Sequence, residues 1–481
     1  MIDKITAYES LRLSWNKSIE ELGNMIPSNN GHTSIFMYPY NYKFNKNSKT
    51  VIENLTRAGW VYHKKDSDDF HKVEKLTDYV GDVLFGKNFI FSKSIDKEYE
   101  IWVDGLKKST CNISKIEVVF FENNIGIISF FTSSNDIIHN ISSVLNRELR
   151  NPSCLYFDEK NLRILSFDST LKNVEELKTK YINENSIIII NFNEFIFSLI
   201  SMSNGIKLEE LKSGKSKYAK YITSIHTNIE KDLENKLLFA HAELQHETDV
   251  ALNLLQISSN YLSSANDFIA NSRQFEQDLD YVRSNIKNYG IRLWSLWSGI
   301  ANLNSLSFIS INDGGRSIVH QSNNEVYLIY LIDFYIKLRL QHLDKLIIDD
   351  SFMQQNKSRE NLESLFILKA NYFSEEVADS FQPTIIDKKI KAALGIDSLM
   401  KNIEENIVKT NEIIKDNNSA VIAIIAAIYV ALNELVPYFT ESIIVKIGAI
   451  AITSLAAFLL WKKRNIIGQK IDVILKKIGV I

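Results

Sequence analysis

The chain contains little cysteine and proline, and it has no excess of either charge. Cys111 and Cys154 are the only cysteines in 481 residues, and neither belongs to a CxxC or zinc-type spacing. This pattern favours a reducing compartment over a disulfide framework. The 55 basic and 58 acidic side chains nearly cancel, which argues against a general nucleic-acid binder. The opening MIDKITAYESLRLSW has no apolar core, so we expect no cleaved signal peptide.

The chain does contain two long apolar runs close to its end. Residues 419–436 have only Asn433 and Glu434 as strongly polar side chains, and residues 442–461 have one charge, Lys446. Each run is about 18–20 residues long, and a helix needs about 20 to cross the hydrocarbon core. The alternative is a pair of buried helices in a soluble core, but soluble helices of this length usually show a polar face. The runs therefore predict two transmembrane helices.

Residues flanking the apolar runs predict an orientation in the membrane. Trp461 and the basic triplet KKR at 462–464 follow the second run, while Lys409 and Lys415 precede the first. Because cytoplasmic flanks are enriched in Lys and Arg, we expect both termini on the cytoplasmic side of a bacterial inner membrane. Residues 438–441 then form an external hairpin.

A helical pattern precedes the first apolar run. From Pro383 onward the only glycine before that run is Gly395. Apolar residues recur near heptad spacing at Ile386, Ile390, Leu394, Met400, Ile403, Ile407 and Ile414. This predicts one long stalk helix packed on copies of itself or on its own domain. Four carboxylates on it either sense divalent ions or form a solvated face: Asp397, Glu404, Glu405 and Asp416.

The first part of the chain alternates strand and helix patterns. Predicted strands are 33–40, 97–103, 114–121, 125–132, 161–168 and 186–193, with a turn at 122–124. Predicted helices are 48–59, 69–84, 136–149, 170–181, 225–262, 265–303, 322–349 and 357–380. Trp294 and Trp297 would share one helix face in a core. The predicted segments are an α/β domain (1–215), a helical region (216–382), the stalk (383–418), two spans (419–437 and 442–461) with the hairpin between them, and a basic tail (462–481).

This arrangement resembles the CorA-type magnesium transporter family. The likeness covers the order of segments, and at residue level it rests on SKIEVVFFENNIGIISFFT at 114–132 and on residues 384–465, including the ending FLLWKKRNII. It implies a homo-oligomer, a pentamer, with a cytoplasmic α/β domain and a pore for Mg²⁺ or another divalent cation. The family's Gly-Met-Asn signature is absent from the hairpin, however, so the standard magnesium filter is not expected.

Several polar and apolar residues are candidates for the pore. Asn433 is the one amide at the outer end of the first run, where a ring of amides would bind the waters of a hydrated cation. Glu434 and Glu441 would attract cations to the mouth, although all three could simply face water. Deeper candidates are Asn417 and Asn418, with Ile425 or Leu432 as an apolar constriction; packing against the second span is the alternative for these.

Candidates for catalysis or cofactor binding are few. The turn NDGGRS at 312–317 contains Arg316 and could bind a phosphate, but it lacks the lysine and spacing of a P-loop, and a plain turn is the alternative. The sequence HAELQHE at 241–247 is not HExxH, and no nucleophile signature occurs. We therefore expect no enzyme and no dedicated metal site.

Three functions remain. The first is a CorA-like channel acting as a ligand-gated antiviral effector. Divergent members accompany type III CRISPR systems, where a nucleotide second messenger made from S-adenosylmethionine and ATP is thought to open them. The second is a Mg²⁺ transporter, and the third is a membrane-anchored scaffold that conducts nothing. We favour the first.

Overall fold

The computed structural model describes residues 32–64, 76–136, 141–167, 189–200, 205–210, 219–227, 279–294, 297–311, 316–350, 355–373, 377–378 and 380–409. The chain divides into two compact units. The first contains residues 1–335 and 374–395, and the second contains residues 336–373 and 396–481.

One mixed sheet of 13 strands dominates the described part of the first unit. The strands are β1 (His32–Phe44), β2 (Val61–His63), β3 (Phe89–Val103), β4 (Leu106–Phe121), β5 (Ile125–Ser133), β6 (Leu155–Asp158), β7 (Arg163–Ser166), β8 (Ile189–Asn191), β9 (Ile206–Glu210), β10 (Lys220–Thr227), β11 (Gly290–Trp294), β12 (Trp297–Asn302) and β13 (Ser305–Ile311). Their order is β11-β12-β13-β10-β1-β5-β4-β3-β7-β6-β8, with β2 beside β3 and β9 beside β1. Only β10–β13 and β3–β7 are parallel among these described pairs.

The described helices are α1 (Ser48–Arg57), α2 (Asp78–Gly81), α3 (Arg147–Leu149), α4 (Phe192–Ile200), α5 (Leu279–Tyr289), α6 (Arg316–Ser322), α7 (Glu325–Asp350), α8 (Gln355–Tyr372) and α9 (Phe381–Leu394). A further helix, α10, covers residues 396–409. Two π-helical segments, Asp82–Gly86 and Ile141–Asn146, follow α2 and precede α3.

The hairpin predicted at 114–132 is confirmed as β4 and β5. Both strands are rich in β-branched and aromatic residues, which suit a pleated surface, and β5 is buried on both faces except at Ser133. The turn Glu122–Asn124 places Asn123 and Asn124 at φ of 64° and 62°. Asparagine tolerates this left-handed conformation better than most residues, so the local sequence determines the turn.

The sheet carries apolar side chains on both faces because neighbouring strand residues point to opposite sides. Phe130 lies in the core formed with α1, α3 and α4, and its ring is 5.4 Å from that of Phe192. Phe131 points the other way, with its ring 5.0 Å from Tyr327 at the start of α7. On that second face Tyr335 stacks on Phe121 at 4.3 Å. Helices therefore cover both faces of the sheet.

The prediction of an almost entirely helical region over 216–382 is wrong in its first part. Residues 290–294 and 297–302, predicted as helix, form β11 and β12. Trp294 and Trp297 are paired across β11 and β12 rather than placed along one helix face. Strand β10 likewise occupies residues 220–227. The helices predicted over 322–349 and 357–380 are present as α7 and α8, the latter ending at Tyr372.

The stalk differs from one continuous helix. Helix α9 ends at Leu394, and Gly395 caps it in the left-handed conformation with φ of 69°. Glycine adopts this conformation without a Cβ penalty and commonly terminates helices. Helix α10 then begins at residue 396. No helix among the described ranges is long and apolar enough to cross a membrane; both apolar runs, 419–436 and 442–461, lie outside those ranges.

Candidate functional site

The predicted pore residues lie outside the described part of the chain. These are Asn417, Asn418, Ile425, Leu432, Asn433, Glu434 and Glu441. Arg316 is described through its backbone as the first residue of α6. It follows β13, which ends at Ile311, so the candidate phosphate-binding residue comes just after the carboxyl end of a parallel strand.

Strands β10 and β13 carry several buried polar side chains along their length. The two strands are parallel, with Thr223 opposite Ser307 and His226 opposite Ser310. In open α/β sheets, ligands bind outside the carboxyl ends of parallel strands. We call this region, with the adjoining start of β1 and with α6, the β10–β13 edge.

On one face of the sheet, three side chains meet at the β10–β13 edge. Ser34 Oγ and Thr223 Oγ1 are 2.9 Å apart, and each donates to Asn146 Oδ1 at 3.3 Å. Asn146 is the last residue of a π-helical segment, and such segments are frequent at functional sites. His32 adds an imidazole, with Nε2 3.2 Å from Ser34 Oγ. All four side chains are buried, so the group is an internal hydrogen-bond network.

A second group of polar side chains lies on the opposite face. Ser224 Oγ donates to Ser322 Oγ of α6 at 2.5 Å, and His226 Nδ1 lies 3.2 Å from Ser310 Oγ. Close by, Thr33 Oγ1 donates to Asn323 Oδ1 at 3.2 Å. These bonds attach α6 and the residue after it to β10 and β1, and so they fix the helix that begins with Arg316.

Burial keeps His32 and Tyr221 neutral. Desolvation lowers the pKa of His32 to about 3, against a smaller opposing effect of the Ser134 backbone. Burial also raises the pKa of the Tyr221 hydroxyl at the start of β10. Burial in a low dielectric penalises the charged form of both groups. These two groups therefore serve as neutral donors or acceptors.

The geometry does not support nucleophilic catalysis by the buried serine–histidine pair. Ser310 Oγ donates to the carbonyl oxygen of Ile225 at 3.2 Å, besides its contact with His226. A nucleophilic serine would instead direct its proton to the histidine. Ser310 is also fully buried. The arrangement suits structural support of a ligand-binding surface better than acyl transfer.

Metal binding is not indicated in the described ranges. They hold no group of three or more His, Cys, Asp or Glu side chains able to share an ion. The stalk carboxylates behave differently from one another: Glu404 pairs with Lys369, whereas Asp397 and Glu405 are exposed. Asp416 lies outside the described residues.

No protein-family model, no curated protein and no solved structure matches this chain.

The residues of the β10–β13 edge were not predicted from the sequence, for a physical reason. The strands KYITSIHT and SLSFISI alternate hydroxyl and apolar residues over part of their length, which is a strand signal. The two strands that pair, β10 and β13, are far apart in the sequence, and no local sequence pattern predicts their pairing.

Proposed function

We propose that the chain is a homo-oligomeric membrane channel of CorA-like architecture that is opened by a ligand. The observation that carries the proposal is the pair of apolar runs, 419–436 and 442–461, with Asn433 and Glu434 at the end of the first run and Glu441 in the hairpin between them. Each run matches the length of a membrane-crossing helix. A polar turn between two such helices would stand at the membrane surface, where it can meet ions.

The described elements support this order of parts. A sheet-bearing unit comes first, and helices α7, α8, α9 and α10 follow before the apolar runs. The same order, an α/β domain, then helices, then two closely spaced spans, is what the CorA resemblance implies. That resemblance also suggests a pentamer in the bacterial inner membrane with cytoplasmic termini.

We place the proposed ligand site in the sheet-bearing unit, at the β10–β13 edge. The ligand class is a nucleotide second messenger of the S-adenosylmethionine–AMP type. Arg316 is the candidate for binding its phosphate, because a guanidinium group forms bidentate hydrogen bonds with phosphate. The neutral hydroxyl groups of the edge would hold the position of α6, from which Arg316 extends the site. Antiviral defence is the role that such a ligand would imply.

The proposed filter is a ring formed by Asn433 from each subunit. Its amide oxygens would accept hydrogen bonds from the waters of a hydrated cation, such as Mg²⁺, which sheds water reluctantly. Each such bond is worth on the order of 1 kcal/mol, so a ring of several strongly favours cation entry. Glu434 and Glu441 would raise the local cation concentration.

The test is cation flux into liposomes that contain the purified full chain. We expect Asn433→Leu to lower flux by orders of magnitude, because every subunit loses an acceptor at once, with oligomer size unchanged. Glu434→Gln should have a milder effect that added salt masks. Asn402→Leu, an exposed amide of α10, is the matched control and should conduct like the parent.

Other outcomes separate the competing functions. Flux only after addition of the nucleotide messenger supports the ligand-gated channel. Mg²⁺ flux without any messenger indicates a transporter instead, and no flux under either condition indicates a scaffold. If Asn433→Leu conducts like the parent, the amide ring is not the filter, and selectivity must lie near Asn417 and Asn418.

A further inference from the structure

Helix α8 carries apolar side chains on its outer face as well as on its inner face. The run LFIL at 365–368 places one apolar side chain at each step of about 100° around the helix. Leu365 and Leu368 are buried, whereas Phe366 is 62% and Ile367 is 50% exposed. A helix at the surface of a soluble domain usually keeps a polar outer face. The outer face of α8 therefore has the composition of a face that something covers.

A third exposed apolar residue, Val408 on α10, belongs to the same unit. The ion pair between Lys369 of α8 and Glu404 of α10 joins the two helices. Phe366 is one turn away from Lys369, and Val408 is one turn away from Glu404. The strongly exposed large apolar side chains in the described part of the second unit are therefore grouped around this ion pair.

Two exposed carboxylates border the apolar group. Glu363 comes one turn before Phe366, and Glu405 comes one turn before Val408. We call Glu363, Phe366, Ile367, Glu405 and Val408 the α8–α10 patch. Exposed apolar groups that are rimmed by polar residues mark interaction sites, and the acidic rim favours a basic partner.

The basic tail, residues 462–481, has a pattern that complements the α8–α10 patch. Its isoleucines recur at steps of four and three residues, the spacing of a coiled-coil seam: Ile467, Ile471, Ile474, Ile478 and Ile481. Against one acidic residue, Asp472, it has six basic ones: Lys462, Lys463, Arg464, Lys470, Lys476 and Lys477. Gly468 and Gly479 lower the helix propensity of this segment. A helix in the tail would therefore need a packing partner for its isoleucine stripe.

The proposed topology brings the tail to the side of the membrane on which α8 and α10 lie. A hairpin of only four residues, 438–441, makes the two spans neighbours, with about 8–10 Å between their axes. The first apolar run begins ten residues after the end of α10 at residue 409. As a helix these ten residues cover about 15 Å, and the tail of 20 residues covers about 30 Å. The tail is therefore long enough to reach the patch.

We propose that the tail docks on the α8–α10 patch of its own chain, with its isoleucine stripe on Phe366, Ile367 and Val408. Lys470 and Lys477 flank the stripe in the heptad pattern and supply charges opposite to those of the acidic rim. The inference rests on the proposed function, because the two-span topology sets the side on which the tail emerges. It adds a direct link between the second span and the helices that precede the first.

A second copy of the chain is a weaker candidate for the occupant. It would have to present an apolar surface of its own, but the stalk stripe around Ile403 and Ile407 is already buried within the single chain. The tail, in contrast, has an apolar stripe and an excess of basic charge.

Disulfide trapping in the full-length protein, in vesicles, tests the contact. Ile367→Cys, in a background with Cys154→Ser, is combined with one cysteine at a time along residues 466–479. We expect links within one chain, with yields that peak at the stripe positions facing Ile367 and recur every three to four residues. Gln469→Cys and Lys476→Cys, on the opposite side of the predicted tail helix, are the matched controls and should link several-fold less. A flat yield along the tail, or no link, would overturn the inference.

Maleimide labelling of Ile367→Cys gives a second readout that needs no link. If the tail is docked about nine-tenths of the time, labelling slows about tenfold, because only the undocked fraction reacts. Ile471→Ser should remove most of this protection, whereas Gln469→Ser should keep it. Leu303→Cys, 57% exposed in the first unit, should react at one rate in all variants. Equal labelling of Ile367→Cys with either tail variant would contradict the docking.

The remaining outcomes identify a different occupant. Links that join two chains assign the patch to a second copy and overturn docking within one chain. Tail cysteines that never link to Ile367→Cys, and that are protected only in vesicles containing anionic lipid, assign the tail to the membrane surface. Failure of the proposed function is read separately, from cation flux and from labelling of Thr440→Cys and Asn465→Cys. Absent links with those two results intact overturn the tail contact alone.

Discussion

At the scale of single residues, Gly299 allows the backbone of β12 to approach the Phe308 ring of β13 closely. A Cβ added at Gly299 of β12 would lie 2.5 Å from Cδ1 of Phe308 and 3.0 Å from the Ser307 carbonyl oxygen. The Phe308 ring is fully buried and also contacts Trp297, with 5.8 Å between ring centres. The ring therefore has little room to move away.

We expect Gly299→Ala to lower the free energy of unfolding by about 1–3 kcal/mol, the usual cost of overpacking. Gly126→Ala in β5 is the matched control, because its Cβ would meet its nearest neighbour, Tyr42, at an ordinary 3.6 Å. Urea unfolding followed by tryptophan fluorescence measures both. Equal stability of the two variants would show that Phe308 does not constrain position 299.

His32 makes stability depend on acid pH. Its pKa is about 3 in the folded protein and about 6.5 in an unfolded chain, so the unfolded state binds more protons between these values. Its contribution to stability is therefore present above pH 6.5 and is lost as the pH falls towards 3. We expect the free energy of unfolding of His32→Gln to decrease less on acidification than that of the parent. The difference is up to about 1.4 kcal/mol for each pKa unit by which the folded and unfolded states of His32 differ.

The matched control is His320→Gln, since His320 is exposed on α6. This variant should keep the acid sensitivity of the parent. The readout is the free energy of unfolding from urea titrations between pH 3 and about 7, the range over which the shifted imidazole titrates. If the free energy of unfolding depends on pH with the same slope in the parent and in His32→Gln, then His32 can be protonated in the folded protein without loss of stability.

At the scale of elements, the apolar stripe of the stalk is already covered. Ile386, Ile390, Leu394, Met400, Ile403 and Ile407 are all buried within a single chain. Of the two packing partners that the pattern allowed, copies of itself or its own domain, the chain itself suffices for these six residues. Contacts between subunits would have to use other residues.

A substitution that places a charge in this apolar stripe should therefore destabilise the fold of the single chain. Ile403→Asp places an unpaired carboxylate at a fully buried position, so we expect it to destabilise the second unit itself, by about 3 kcal/mol or more. Val408→Asp, one residue past Ile407 and 56% exposed, should leave the melting temperature nearly unchanged. Circular dichroism melts together with light scattering decide between this outcome and simple dissociation into stable monomers.

Local pattern predicted those elements whose partners are close in sequence. The β4–β5 hairpin and α1 follow from strand alternation, the turn at 122–124 and the helical spacing of residues 48–59. In the structure the Asn47 side chain also caps α1, accepting a hydrogen bond from the Thr50 amide. Strands β11 and β12 were mistaken for helix because Ile291, Trp294, Trp297 and Ile300 recur every third residue, which also fits a helix. Tertiary pairing with β13 overrides that pattern. The polar β10–β13 edge depends on the same distant pairing.

At the scale of the whole molecule, the expected topology can be tested with single cysteines. Thr440→Cys lies in the proposed external hairpin and Asn465→Cys in the proposed cytoplasmic tail. We expect a membrane-impermeant maleimide to label them from opposite sides of the membrane. Labelling of both from one side would contradict the two-span arrangement.

The two native thiols need different treatment in that experiment. Cys111 is buried, and burial raises its pKa to about 12, so little of the reactive thiolate forms and it can remain. Cys154 is partly exposed and should be replaced. The parent with Cys154→Ser alone is then the unlabelled control.

The order of strands along the chain also bears on biosynthesis. All strands of the described sheet lie before residue 312, and the last pairing, β13 with β10 and β12, needs nothing beyond Ile311. Roughly 100 further residues must be translated before the first apolar run begins, which takes about 5–20 seconds at elongation rates of about 5–20 residues per second. Slow non-local closure of the sheet thus has time to finish on the ribosome. If the apolar runs insert into a membrane as proposed, the nascent chain reaches the insertion machinery with all described strands of its sheet already paired.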